Sequence, residues 1–151
     1  MGYILMSYLS FRGTSSNSTS IATGYVNGSG STIAQGAPVS VNGSGQIVLT
    51  DVTSTTSVQA FVGYATASIA PSASGSVTSN GRLQNLSGYA FSTGDAIYIG
   101  IGGILQNTKP DYGVTGFTAG DTVVFCGVVV NNVLNPAHQD LQLLTQVIGV
   151  L

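Results

Sequence analysis

The sequence predicts an all-β protein, a small β-barrel or sandwich with partly duplicated hairpin units, preceded by an extended N-terminal arm. Three observations carry this. Apolar residues recur with period two, as in "APVSVNGSGQIVL", and helix-length stretches with 3.6 periodicity are absent. Glycine-centred turn signals separate runs of strand length, and three segments repeat one template.

The chain divides into residues 1–20, an arm with its leash, and residues 21–151, a β domain. The arm begins "GYILMSYLSF", apolar and aromatic, and "RGTSSNSTS" after it reads as a flexible linker. An apolar segment on such a leash needs a surface. It is either a strand of its own domain or an arm that docks onto a neighbouring protein, through Tyr3, Ile4, Leu5, Met6, Tyr8, Leu9, Phe11 and Arg12.

Residues 38–49 read as a hairpin, with Val39 and Val41 on one face, the turn "NGSG", then Ile47 and Leu49. "VQAFVGYATASI", "DAIYIGI", "DTVVFCGVVV" and "LLTQVIGVL" are β-branched and aromatic runs of strand length. One helical turn is expected around "NPAHQDLQ". The final strand reaches the last residue, which predicts burial in the sheet or at a subunit contact.

The repeat joins "IAQGAPVSV" (33–41), "FSTGDAIYI" (91–99) and "FTAGDTVVF" (117–125). In each, an apolar anchor is followed by a glycine, Gly36, Gly94 or Gly120, that turns the chain at a φ other residues resist, and an alternating strand begins. "AFVGYA" (60–65) echoes "VFCGVV" (124–129), so Gly63 and Gly127 predict a bulge or close backbone approach. "GIGG" at 100–103 lacks the spacing of a dinucleotide loop, and reads as a hairpin turning at Gly102 and Gly103.

Composition excludes several functions. Of 151 residues only 5% are charged, against about a quarter in an ordinary soluble domain. Three basic residues, Arg12, Arg82 and Lys109, cannot neutralise a run of phosphates, so no nucleic-acid partner is expected. The same shortage argues against a polybasic membrane-surface protein, and no apolar stretch approaches the about eighteen residues of a span. Neither a signal peptide nor a myristoylation pattern is evident, which gives the expectation of a soluble protein made in the cytoplasm. The Asn-x-Ser/Thr sites at Asn17, Asn27, Asn42 and Asn85 carry no weight in a chain so rich in Ser and Thr. With little charge to keep copies apart, much of the surface is expected to be covered by partners.

Catalytic chemistry has few carriers. His138 is the only histidine, which rules out a zinc site built from several imidazoles, and Asp140 is a poor orienting partner for it. Cys126 lies in the apolar run "VVFCGVVV" and reads as a small buried hydrophobe. Asp95 and Asp121 each follow a turn glycine, where the carboxylate accepts bonds from nearby backbone N–H groups. No calcium-loop spacing occurs, and "DYG" at 111–113 reads as a turn. The sequence therefore predicts no enzyme, no cofactor and no metal, with Gly36, Gly94, Asp95, Gly103, Gly120 and Asp121 serving turns.

The run "GYAFSTGDAIYIGIGGILQNTKPD", with "GDTVVFCGVVVNN" and "LQLLTQVIGVL" after it, resembles a β-rich module of tailed-bacteriophage structural proteins. The upstream "IAQGAPVSVNGSGQIVL" with "VGYA" is similar to the start of small capsid decoration, or cement, proteins. The resemblance covers roughly residues 24–151. It implies a virion protein, often trimeric, on the outer capsid surface, bridging subunits of the major capsid protein. Self-association is then expected around Val128, Val130, Val147, Ile148, Val150 and Leu151, with the arm on the capsid. The chain departs from short cement proteins in that arm. A tail-fibre, head-fibre or tail-adaptor component is the alternative. From another class, a carbohydrate-binding module would need an aromatic platform, for which Tyr89, Tyr98 and Tyr112 are the candidates in a chain without tryptophan.

Overall fold

The computed structural model describes residues 19–151. Ten strands form two antiparallel five-stranded sheets. The first holds β1 (Ile21–Val26), β2 (Pro38–Val41), β3 (Ile47–Leu49), β4 (Phe61–Ala65) and β5 (Ser74–Thr78), in the order β1-β5-β4-β2-β3. The second holds β6 (Arg82–Leu86), β7 (Ala96–Gly100), β8 (Ile104–Gln106), β9 (Thr122–Asn131) and β10 (Gln139–Val150), in the order β6-β10-β9-β7-β8. Advancing each strand number by five turns one order into the other, so the fold is a duplicated unit.

The duplication reaches individual hydrogen bonds. At 34–37, 92–95 and 118–121 the last residue donates its N–H to the carbonyl of the first, at 3.1, 3.0 and 3.2 Å. The third residue of each is glycine, Gly36, Gly94 or Gly120, with φ of 83°, 94° and 94°, as a type II turn requires. Each glycine N–H then bonds a carbonyl further along the chain, those of Ala65 in β4 and Val129 in β9 at 2.8 Å and that of Leu151, just past β10, at 2.6 Å. The template in the sequence is thus one turn used three times.

Register repeats as well. Val39 pairs with Gly63 and Ser40 with Phe61, leaving Val62 as a bulge. In the second half Ile97 pairs with Gly127 and Tyr98 with Phe125, leaving Cys126. Both hairpins turn in three residues beyond their last opposed pair: Asn42 N–H bonds the Gln46 carbonyl in one, and Gly100 opposes Ile104 in the other. Gly102 and Gly103 both have positive φ, 83° and 71°. A further bulge sits at Gly24 (φ 85°) in β1 and at Asn85 (φ 56°) in β6.

The local expectations need two corrections. Val58 and Gln59, expected to open a strand, instead end α1 (Thr55–Gln59), and the strand starts at Phe61. Asp51 Oδ1 accepts from Thr53 N–H at 2.9 Å and Ser54 Oγ from Ser57 N–H at 3.3 Å, so side chains of the Ser/Thr run bind the backbone and cap a helical turn. Conversely, no helix forms around "NPAHQDLQ"; residues 132–138 turn and β10 begins at Gln139. The hairpin expectation also needs adjustment at one residue: Val39 and Ile47 are buried, but Leu49 is 37% exposed.

The first half has a small core of Ile33, Val39, Ile47, Ala65, Ile69 and Val77. A larger core fills the second half and takes in Val52 and Tyr64 from the first. Tyr64 Oη lies 2.8 Å from Thr145 Oγ1, and Thr122 N–H bonds the Val52 carbonyl at 2.8 Å. These bonds join the halves into one body.

Candidate functional site

Asp95 Oδ2 accepts from Ser92 N–H and Asn107 Nδ2, both at 2.9 Å. Those donors, the backbone N–H first, hold its carboxyl below the ordinary 3.8. Asp121 Oδ2 accepts from Thr118 N–H at 2.7 Å, the equivalent bond in its own turn. Both carboxylates are occupied in closing turns. Gly103 packs against Leu49 Cβ at a distance that leaves no room for a side chain.

Cys126 is fully buried, and burial pushes its thiol up to about 12, with the Tyr64 hydroxyl acting weakly the other way. At that value it stays a protonated apolar filler. His138 stands at the end of the 132–138 turn, its N–H bonded to the Asn135 carbonyl at 2.9 Å. Among the described residues no three His, Cys, Asp or Glu side chains gather as a metal site would require. Tyr89 stacks on Phe91 (5.1 Å between centroids), Tyr98 meets Phe125 edge-on (5.8 Å), and Tyr112 is 70% exposed. No ring pair joins two of these three tyrosines. A cleft of about 490 Å³ runs between Gln35, Ser68 and Tyr89 and carries no charged group.

The surface is more distinctive, in two places. The first is the turn between β9 and β10. Asp140 is buried and accepts from Asn85 N–H and Asn132 Nδ2, both at 3.0 Å, while Arg82 Nη1 lies 3.6 Å from its other oxygen. Asn132 Nδ2 also donates to Asn85 Oδ1 at 2.8 Å, and Asn132 Oδ1 accepts from Leu134 N–H (3.0 Å) and Asn135 N–H (2.8 Å). This network fixes a turn whose tip, Val133 and Leu134, is 84% and 95% exposed. In the first half the position of Val133 is taken by Ile69, which bridges to Ile33 and is buried. The repeated unit thus closes this loop on its core in one copy and presents it apolar tip outward in the other. The sequence pointed only to His138 as a neighbour of Asp140, and a poor one; the network stayed hidden because Arg82 and Asn85 lie more than fifty positions away.

The second place is the far end of β10. Leu144, Val147, Ile148 and Val150 are 56%, 57%, 45% and 66% exposed. Of the two alternatives for this end, burial in the sheet or at a subunit contact, the described strands supply the first on one edge only: β9 covers it as far as Val150, but β6 covers the other edge only as far as Gln142. Of the self-association candidates, Val147, Ile148 and Val150 lie open here and Leu151 is half-buried beside them, whereas Val128 and Val130 sit half-buried in the middle of the sheet. The arm candidates Tyr3 to Arg12 lie outside the described residues.

What fold and surface define is a duplicated two-sheet β protein with exposed apolar side chains at both ends of its longest hairpin, Lys109 and Asp111 lining a cleft beside Ile148 and Val150 at one of them. Comparison with known protein families, with curated proteins and with solved structures finds no match.

Proposed function

We propose that the protein is a non-enzymatic structural component of a tailed-bacteriophage virion, a decoration protein that bridges subunits of the major capsid protein on the outer shell. The supporting observation is exposed apolar side chains at the Val133–Leu134 tip and along Leu144–Val150, on a duplicated scaffold. Large apolar side chains held outward by a fixed backbone suit docking more than turnover. The motif resemblance of residues 24–151 supplies the virion context.

In this reading the shell contact uses apolar packing and neutral hydrogen bonds, and self-association, as a trimer, uses the β10 end. Because few charges are involved, detachment responds to denaturant more than to salt. Purified particles exposed to 1 M NaCl should retain the protein and release it in moderate guanidinium chloride. Complete release by salt alone would oppose the proposal. Quantitative gel analysis of particles locates the protein: hundreds of copies agree with decoration, whereas a dozen or fewer would transfer it to a tail, head-fibre or vertex position.

A further inference from the structure

From Leu141 to Leu151 the open edge of β10 carries neither a charged residue nor proline, and its only irregularities are the register shifts against β9 between Leu143 and Gln146 and between Val147 and Gly149. β6 leaves the edge at Arg82, opposite Gln142, after a last bond from Leu143 N–H to the Gly81 carbonyl. Beyond it, among the described residues, backbone partners of β10 come from the β9 side and the turn at 118–121.

The chain enters the described structure beside the start of this edge. Thr19 Oγ1 accepts from Arg82 N–H at 3.0 Å, Ser20 N–H donates to Asn80 Oδ1 at 2.8 Å, and Thr78 Oγ1 donates to the Ser20 carbonyl at 2.8 Å. Residues 19 and 20 are therefore pinned against 78–82. Upstream stands "YILMSYLSF", residues 3–11, nine residues rich in strand formers. The open edge, Leu143–Leu151, is also nine residues long.

We propose that in the free protein residues 3–11 of the same chain add to the open edge of β10, antiparallel to it, with Phe11 toward Leu143 and Tyr3 toward Leu151. Reach favours this direction. The eight steps from Phe11 to Thr19 span at most about 29 Å when fully extended, and the eight steps from Leu143 to Leu151 run about 27 Å. Antiparallel addition needs Phe11 at the near end, beside Thr19. Parallel addition would place Phe11 at Leu151 and hold the leash at full stretch, whereas antiparallel addition leaves it slack. The added strand continues the line of β6, which also runs antiparallel to β10. It brings apolar side chains over Leu144, Val147, Ile148 and Val150 and satisfies the edge N–H and C=O groups. The proposal concerns the unassembled chain and does not depend on a virion role.

Hydrogen–deuterium exchange read by mass spectrometry tests it, on the intact chain and on one lacking residues 2–11. The expected result is that peptides covering 144–150 exchange at least about tenfold more slowly in the intact, monomeric chain. Peptides around Ile97 and Val129 should exchange alike in both, which reports that the core is folded. A second variant, Leu5→Asp with Leu9→Asp in the full-length chain, should expose 144–150 as the deletion does. Equal exchange of 144–150 in all three proteins would overturn the proposal. So would protection that disappears on dilution along with a multimeric mass, because a second copy would then be covering the edge.

Discussion

Gly63 and Gly127 occupy the same position in the two halves, and at each a Cβ would drive into a backbone carbonyl of the next strand, that of Thr78 or of Gln142. Their φ angles, 144° and 155°, are alike too. Neighbouring strands approach here because the glycine has no side chain, and the adjoining bulge sets the twist of each half.

Substituting alanine at either glycine is therefore expected to cost about 2–5 kcal/mol, combining backbone strain with displacement of a strand. Gly149→Ala, where a Cβ meets nothing within 4 Å, should change stability by less than about 0.5 kcal/mol. Urea denaturation of the three variants gives the comparison, and equal effects would mean that close approach is not what these glycines serve.

Tyr64 couples the halves through Thr145. Tyr64→Phe and Thr145→Val should each lose about 1 kcal/mol, and a double-mutant cycle should return a coupling of that order. Strictly additive losses would show that the hydroxyl pair contributes nothing.

Alkaline pH should destabilise the protein. Burial raises Cys126 from 9.0 to about 12, and Tyr64 is raised above 10.0, mainly by burial with Cys126 adding to it. Below pH 9 both groups keep their protons whether the chain is folded or unfolded. As pH rises past 9.0 the unfolded chain releases the thiol proton while the folded chain retains it, so stability falls toward pH 12. Thermal melts of Cys126→Ala should show a shallower fall from pH 9 to 10.5 than the wild-type chain. Native Cys126 should also resist a thiol reagent until the protein unfolds.

At the acid end, Asp95 should titrate below 3.8 in NMR spectra, and Asn107→Ala should move its midpoint upward. The lowered value means that this carboxylate favours folding above pH 3.8, a contribution lost as pH falls through the folded-state midpoint.

Val133→Ser with Leu134→Ser should leave the melting temperature unchanged, since both side chains are almost wholly exposed, yet weaken attachment to capsid shells in a sedimentation assay. Undiminished attachment would remove this tip from the proposed interface.

Much of the architecture was legible in the sequence because it is local. The alternation of Val39 and Ile47, the turn glycines Gly36, Gly94 and Gly120, and the carboxylates Asp95 and Asp121 act within a few residues of themselves. The echo of Gly63 in Gly127 was visible too, since both halves keep a glycine where strands approach. Helix α1 was hidden because Val58 and Ala60 extend the alternation of Val62 and Tyr64 backward, while the capping by Ser54 is a competition between side chain and backbone that alternation does not register.

By itself, the sequence determined the all-β class, the three repeated turns and the scarcity of groups able to do chemistry. Only the tertiary structure decided that the two halves share one strand order, that Asp140 is buried with Asn85 and Asn132, and that Leu144–Val150 lies at an open edge. The reason is range. Turn chemistry is settled by neighbours in the chain, but an edge is open or closed according to where a distant strand stops, and β6 stops at Arg82.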